Sequence, residues 1–158
     1  MRIKLKTTIT APIERCFDLS RSIDLHVAST SGTRELAIAG RTTGLIGLNE
    51  TVTWKGRHFC LILTHQSRIT AYDRPRHFQD SMVRGAFRSF VHDHFFESVG
   101  DATLMTDVVE FSAPLGPLGL LAENVFLEKY MRVFLEERNV FVKQIAESSE
   151  WAKYLAGA

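Results

Sequence analysis

The alternation of apolar and polar positions changes period three times along the chain. Ile3 and Leu5 alternate with Arg2, Lys4 and Lys6, which is the period of a half-buried strand over residues 2 to 10. Ala11-Pro12-Ile13-Glu14 then breaks the alternation. Proline suits a first helical position because its missing N–H would be unpaired there, and Glu14 complements the positive end of the helix dipole. Ile13, Cys16 and Phe17 recur at helical spacing, so a short amphipathic helix is predicted. Ser22-Ile23-Asp24 offers caps for a second short helix, which Gly32 would end.

From about residue 34 to 113 the helical period is lost. Glu50 to Trp54, Phe59 to Ile69, Phe78 to Arg84, Phe87 to Ser98 and Thr103 to Ser112 read as strands, rich in β-branched and aromatic residues. Turns are expected at Lys55-Gly56, at Asp73-Arg74-Pro75-Arg76 and at Gly100-Asp101, with a bulge or bend at Gly85. Strands so closely spaced favour an antiparallel meander over a parallel sheet. Pro114-Leu115-Gly116-Pro117 closes this section. Beyond it Leu120, Asn124, Leu127, Met131, Phe134, Leu135, Arg138, Phe141, Val142 and Ile145 form one stripe at three- and four-residue spacing. Such a helix of some thirty residues would run about 45 Å, enough to cross a whole sheet.

A strand, two short helices, a run of antiparallel strands and one long amphipathic helix make an α+β helix-grip fold. The curved sheet wraps around the C-terminal helix, bent at Gly85 and other glycines, and the two enclose a cavity. The 158 residues are read as one domain spanning 1–158, without repeat or linker.

Composition narrows the function. Nineteen Lys+Arg against eighteen Asp+Glu leave a net charge of +1, which argues against a nucleic-acid binder. No signal-peptide core and no bilayer-length apolar run is present, so a cytoplasmic protein without stable membrane insertion is expected. Cys16 and Cys60 lie among apolar neighbours and read as reduced, buried thiols. No phosphate-cradling glycine loop, Gly-x-Ser-x-Gly elbow or Cys-His nucleophile signature occurs, so no cofactor is expected.

The chain resembles the START/Bet v 1-like superfamily, known as SRPBCC, and within it the small bacterial ligand-binding or polyketide cyclase/dehydrase-like members. The resemblance rests on Ile9 through Phe17, on Gly47 through Trp54 with His58-Phe59, and on Pro75, Phe78, Asp80, Met82, Gly85 and Phe87. Phe90, His92, His94 and Phe96, then Thr103, Met105 and Asp107, and finally Pro114, Gly116 and Gly119 complete it. It implies a cavity for a hydrophobic ligand, in a superfamily that ranges from lipid carriers and hormone receptors to aromatase/cyclases.

The sharpest chemistry is His92-Asp93-His94 with Asp107. Residues two apart on a strand share a face, so Phe90, His92, His94 and Phe96 point one way. A hairpin turning at Gly100-Asp101 puts His94 opposite Asp107 on that face, with Cβ atoms roughly 5 Å apart. Three readings stay open. Asp107 orients a buried histidine that holds a ligand's polar end; or the histidines perform acid/base catalysis; or two histidines and a carboxylate bind zinc or iron.

Glu50 shares a strand face with Val52 and Trp54, and either enters the cavity or pairs with an arginine on its rim. Asp80, between Phe78 and Met82, needs a partner if buried, with Arg84 or Arg88 nearest in sequence. Arg138, on the apolar stripe, either joins such a pair or snorkels to the rim. Trp54, Phe78, Met82, Phe90, Phe96, Met105, Phe111, Met131 and Phe134 are the expected lining or core.

Two functions follow as expectations. One is binding or carriage of a small hydrophobic or amphipathic molecule, by a monomer or homodimer. The other is a cofactor-free cyclase or dehydratase with His92, His94 and Asp107 as its catalytic groups. A weaker third has the Leu115-Gly116-Pro117-Leu118 segment docking on a protein or membrane surface.

Overall fold

The computed structural model describes residues 1–113 and 120–156, and the side chains of these residues except 120–125. Strand β1 (Arg2–Ile9) is followed by helices α1 (Ile13–Ser20) and α2 (Ile23–Ser29). Six strands come next: β2 (Leu36–Gly40), β3 (Thr51–His58), β4 (Leu61–Asp73), β5 (His77–Arg84), β6 (Ser89–Val99) and β7 (Ala102–Ser112). The long helix α3 (Leu120–Glu147) and the short α4 (Trp151–Leu155) end the order. The Pro114 to Pro117 closure and the proposed Leu115–Leu118 docking segment lie outside the described residues.

The strands form one antiparallel sheet in the order β1-β7-β6-β5-β4-β3-β2. The meander runs from β2 to β7, and β1 then pairs with β7 along its whole own length, from Arg2 opposite Glu110 to Ile9 opposite Thr103. Ser22 accepts a hydrogen bond from the Leu25 N–H, capping α2 as its sequence predicts. Gly100, at φ 60°, turns the β6–β7 hairpin.

Two expectations are corrected. The turn proposed at Lys55-Gly56 is continuous strand; β3 runs on to His58 and reverses at Phe59-Cys60, both in the left-handed region at φ 52° and 63°. Cys60 is therefore exposed at a hairpin tip, not buried, whereas Cys16 is buried. Curvature also has a source beyond glycine: β4 carries register shifts against β5 at Gln66/Ser67 and Ile69/Ala71, and such bulges bend a strand.

Two apolar clusters fill the interior. Phe17 of α1 sits at the centre of the larger, edge-on to Tyr72, Phe78 and Phe96 at 5.4 Å each. The smaller one joins Ile3, Val109 and Phe111 of the sheet to Met131 and Leu135 of α3. A cavity of about 610 Å³ remains between the sheet, α2 and α3.

Candidate functional site

The cavity walls are largely apolar: Ile23, Ile46, Val52, Trp54, Ile69, Phe78, Phe87, Phe90, Leu127, Met131 and Phe134 contribute. Into this lining project five of the chain's six histidines: His26, His58, His65, His92 and His94. Imidazole rings are costly to hide without partners, and here four of the five gather into two polar patches, while His65 packs on Phe87 and Phe90.

The first patch lies on three adjacent strands. In β6, His92 and His94 both face inward because residues two apart share a side. The register sets Asp80 of β5 opposite His92, and Phe78 opposite His94. On the other flank Asp107 of β7 stands opposite His94, the register expected from the Gly100-Asp101 turn. Each carboxylate then reaches to the histidine diagonal to it. His92 Nε2–H donates to Asp107 Oδ1 at 2.9 Å, and His94 Nε2 lies 3.2 Å from Asp80 Oδ2. His94 Nδ1 is also 2.9 Å from Asp107 Oδ1, but off the line a hydrogen bond needs, so it makes none. The two imidazole rings lie 3.7 Å apart, and Phe78 stacks on His94 at 4.1 Å.

Helix α3 closes this patch from behind. Asn139 Nδ2 donates to Asp107 Oδ2 at 2.7 Å, and Arg138 Nη1 donates to Asn139 Oδ1 at 3.1 Å. Arg138 Nη2 donates to the Ser20 carbonyl at the end of α1, at 2.9 Å. Arg138 is 4% exposed, so it does not snorkel; its charge is spent inside, 3.8 Å from Asp107 Oδ1.

The electrostatics separate the two histidines. Burial pushes the Asp107 carboxyl up, but the His92 hydrogen bond and the close His94 imidazole win and hold it well below its usual range. Asp80 is lowered in the same way, by His94 and by the nearby His92 against burial. Burial disfavours a charge on either imidazole. In His92 burial dominates, helped by repulsion from His94, and its pKa falls. In His94 the two carboxylates outweigh burial, and its pKa rises.

The second patch was not foreseen. Glu35, just before β2, accepts from His26 Nε2 at 2.6 Å and from His58 Nε2 at 3.0 Å. His58 Nδ1 is 2.7 Å from the Tyr130 hydroxyl, and His26 stacks on Trp54 at 4.1 Å. Burial opposes the Glu35 charge, but the two imidazole hydrogen bonds prevail and lower its pKa to about 2. Gly56 makes room: a Cβ there would meet Glu35 Cγ at 2.6 Å. His26 and Glu35 follow no strand or helix period that would flag them, and His58 stood out only through the family resemblance.

Of the residues named from sequence, Trp54, Phe78, Asp80, Phe90, His92, His94, Met131, Phe134 and Arg138 line the cavity. Asp107 stands behind its two histidines. Others are elsewhere. Glu50 turns to the surface, gripped by Arg41 at 2.6 Å and by the Gly47 N–H at 2.7 Å. Arg88 is exposed in the bend between β5 and β6, and Arg84 is exposed too, so neither partners Asp80; the histidines do. Met82 is half-buried outside the lining. Phe96 is covered by Phe17, Met105 by Ser20, whose hydroxyl lies 3.5 Å from its sulfur, and Phe111 by the Ile3–Leu135 cluster. Among the described residues no helix is long and apolar enough to cross a membrane.

No family model and no curated protein matches the sequence. Solved structures do. A protein of Thermus thermophilus superposes with a TM-score of 0.75 at 13% identity, over 91% of this chain and 95% of its own. The ZhuI aromatase/cyclase of a Streptomyces species gives 0.74 at 14% identity, covering 100% of this chain and 98% of that one. Ginseng major latex-like protein 151 from Panax ginseng gives 0.66 at 14% identity, over 94% and 98% of the two chains. At such identities the likeness speaks for architecture alone: this chain has the Bet v 1-like helix-grip fold.

Proposed function

We propose that the protein binds a small amphipathic molecule in its internal cavity, apolar body against Trp54, Phe78, Phe90, Met131 and Phe134, polar end at His94 and Asp80. One observation carries the reading. A void of about 610 Å³ with aromatic and aliphatic walls holds two sets of convergent polar groups, and that combination suits a bound molecule better than a core. Such a volume is within the range of sites for drug-sized ligands. The test is native mass spectrometry of freshly purified protein. A co-purifying small molecule is expected, and Met131→Trp, which fills the space from α3, expels it. Parent protein that takes up no amphipathic molecule from a broad library would overturn the reading.

A second reading is a cofactor-free cyclase or dehydratase in which His92 and His94 move protons and Asp107 orients them. It is favoured by two imidazoles 3.7 Å apart facing an apolar space, one held by a carboxylate behind it and the other beside a second carboxylate. The likeness to an aromatase/cyclase is consistent with it. Turnover of a polyketide-like substrate that collapses in His94→Ala while binding persists would support it; full activity in that variant would sink it.

A further inference from the structure

We propose that Asp80, His92 and His94 form a binding site for one divalent transition-metal ion, of the zinc or iron(II) kind, open to the cavity. Asp107 serves as the positioning residue behind both imidazoles. The argument begins with which nitrogen faces which way. Asp107 takes the rear nitrogen of each ring: His92 Nε2 and His94 Nδ1 both lie 2.9 Å from its Oδ1. The forward nitrogens, His92 Nδ1 and His94 Nε2, are turned toward Asp80 Oδ2, at 3.9 and 3.2 Å. One donor atom from each of Asp80, His92 and His94 lies within 4.8 Å of the other two.

With the rear nitrogens carrying the protons, three lone pairs converge on one point. That arrangement suits a cation. A proton on His94 Nε2 serves Asp80 but leaves His92 Nδ1, at 3.9 Å, without a bond. A metal serves all three. At metal–ligand distances of about 2.1 Å, neighbouring donor atoms sit roughly 3 to 3.5 Å apart, so modest closure of the cluster suffices. Two imidazoles and one carboxylate, with free positions on the cavity side, suit zinc or iron(II). The surroundings match what such a site requires. One carboxylate stands behind both imidazoles and is bonded to His92, and it is itself held by Asn139 and neighboured by Arg138. Two carboxylates against one guanidinium favour a cation at this patch.

The test uses the full chain, purified without a histidine tag and stripped with chelator, titrated with zinc chloride and separately with cobalt(II). One ion per chain is expected. In histidine-selective NMR, zinc should move the imidazole signals of His92 and His94 and leave those of His77, which pairs with Asp93 at 2.7 Å in a separate pair, in place. Asp80→Ala or His92→Ala should abolish stoichiometric binding, and His77→Ala should not change it. Asp107→Asn, which keeps shape and fold, should weaken zinc about 10- to 100-fold. Absence of stoichiometric binding by the parent overturns the proposal. So does zinc that perturbs His77 rather than His92 and His94, or affinity unchanged in folded Asp107→Asn and His92→Ala.

Discussion

Asn139 on α3 donates a 2.7 Å hydrogen bond to Asp107 on β7, and both residues are almost fully buried. The contact joins the helix to the sheet at one of the two places where the interior is polar rather than packed. Replacing Asn139 by Ala strips Asp107 Oδ2 of its donor and Arg138 Nη1 of its acceptor at once. A loss of about 1–3 kcal/mol is expected for such orphaned groups. In urea unfolding, the midpoint should fall with the slope unchanged.

Asp107 itself should matter more. It is ionised across the neutral range, and both histidines and Arg138 lean on it. Asp107→Ala leaves a buried guanidinium without its carboxylate, and a cost of about 3–5 kcal/mol is expected. Asp107→Asn keeps the volume and one acceptor and should lose clearly less. Equal losses in the two variants would show that the charge is unimportant.

Glu35 gives the fold an acid limit. Its pKa falls on folding from 4.5 to about 2, under the hydrogen bonds of His26 from α2 and His58 from β3, with His65 and Tyr130 beyond. A group whose pKa is depressed by folding stabilises the native state above its unfolded value, and loses that effect as pH drops through the folded one. The stability gap between parent and Glu35→Gln should therefore be full above about pH 5 and close between 4.5 and about 2. Chemical denaturation at stepped pH reads it directly.

The two cysteines should react differently. Cys60 is exposed, whereas Cys16 is buried and burial raises its thiol pKa. A thiol reagent on native protein should add one label, at Cys60, and a second only after unfolding. Cys60 also holds φ 63°, a left-handed conformation that costs an L-residue about 1–2 kcal/mol. Cys60→Gly should raise the melting temperature.

The order of elements was legible because it rests on period alone. The opposition of His94 and Asp107 was legible for a further reason: a short hairpin around Gly100 leaves little freedom in the pairing of β6 with β7. Asp80 was harder. β5 and β6 are joined by a wide bend at 85–88, so its register could not be counted from a turn, and arginines near in sequence looked like its partners. Beyond the Gln66/Ser67 bulge, Arg84 is exposed. The Phe59-Cys60 turn has neither glycine nor asparagine to announce it. Phe96, Met105 and Phe111 point to the expected side, but strand parity says nothing of where α1 and α3 lie over it. His26, Glu35 and His58 meet only through tertiary structure, from a helix, a loop and a strand end.

The bond from Arg138 to the Ser20 carbonyl spans 118 residues of sequence. Its neighbours in the polar wall come from β5, β6, β7 and α3, so no partly folded stretch of the chain contains the wall. Contacts this distant in sequence are slow to find. A ligand that fills the whole cavity thus has no complete site to hold until the chain's early and late segments have met. Its capture would mark the end of folding, and any molecule present at that moment would favour the finished state over every earlier one.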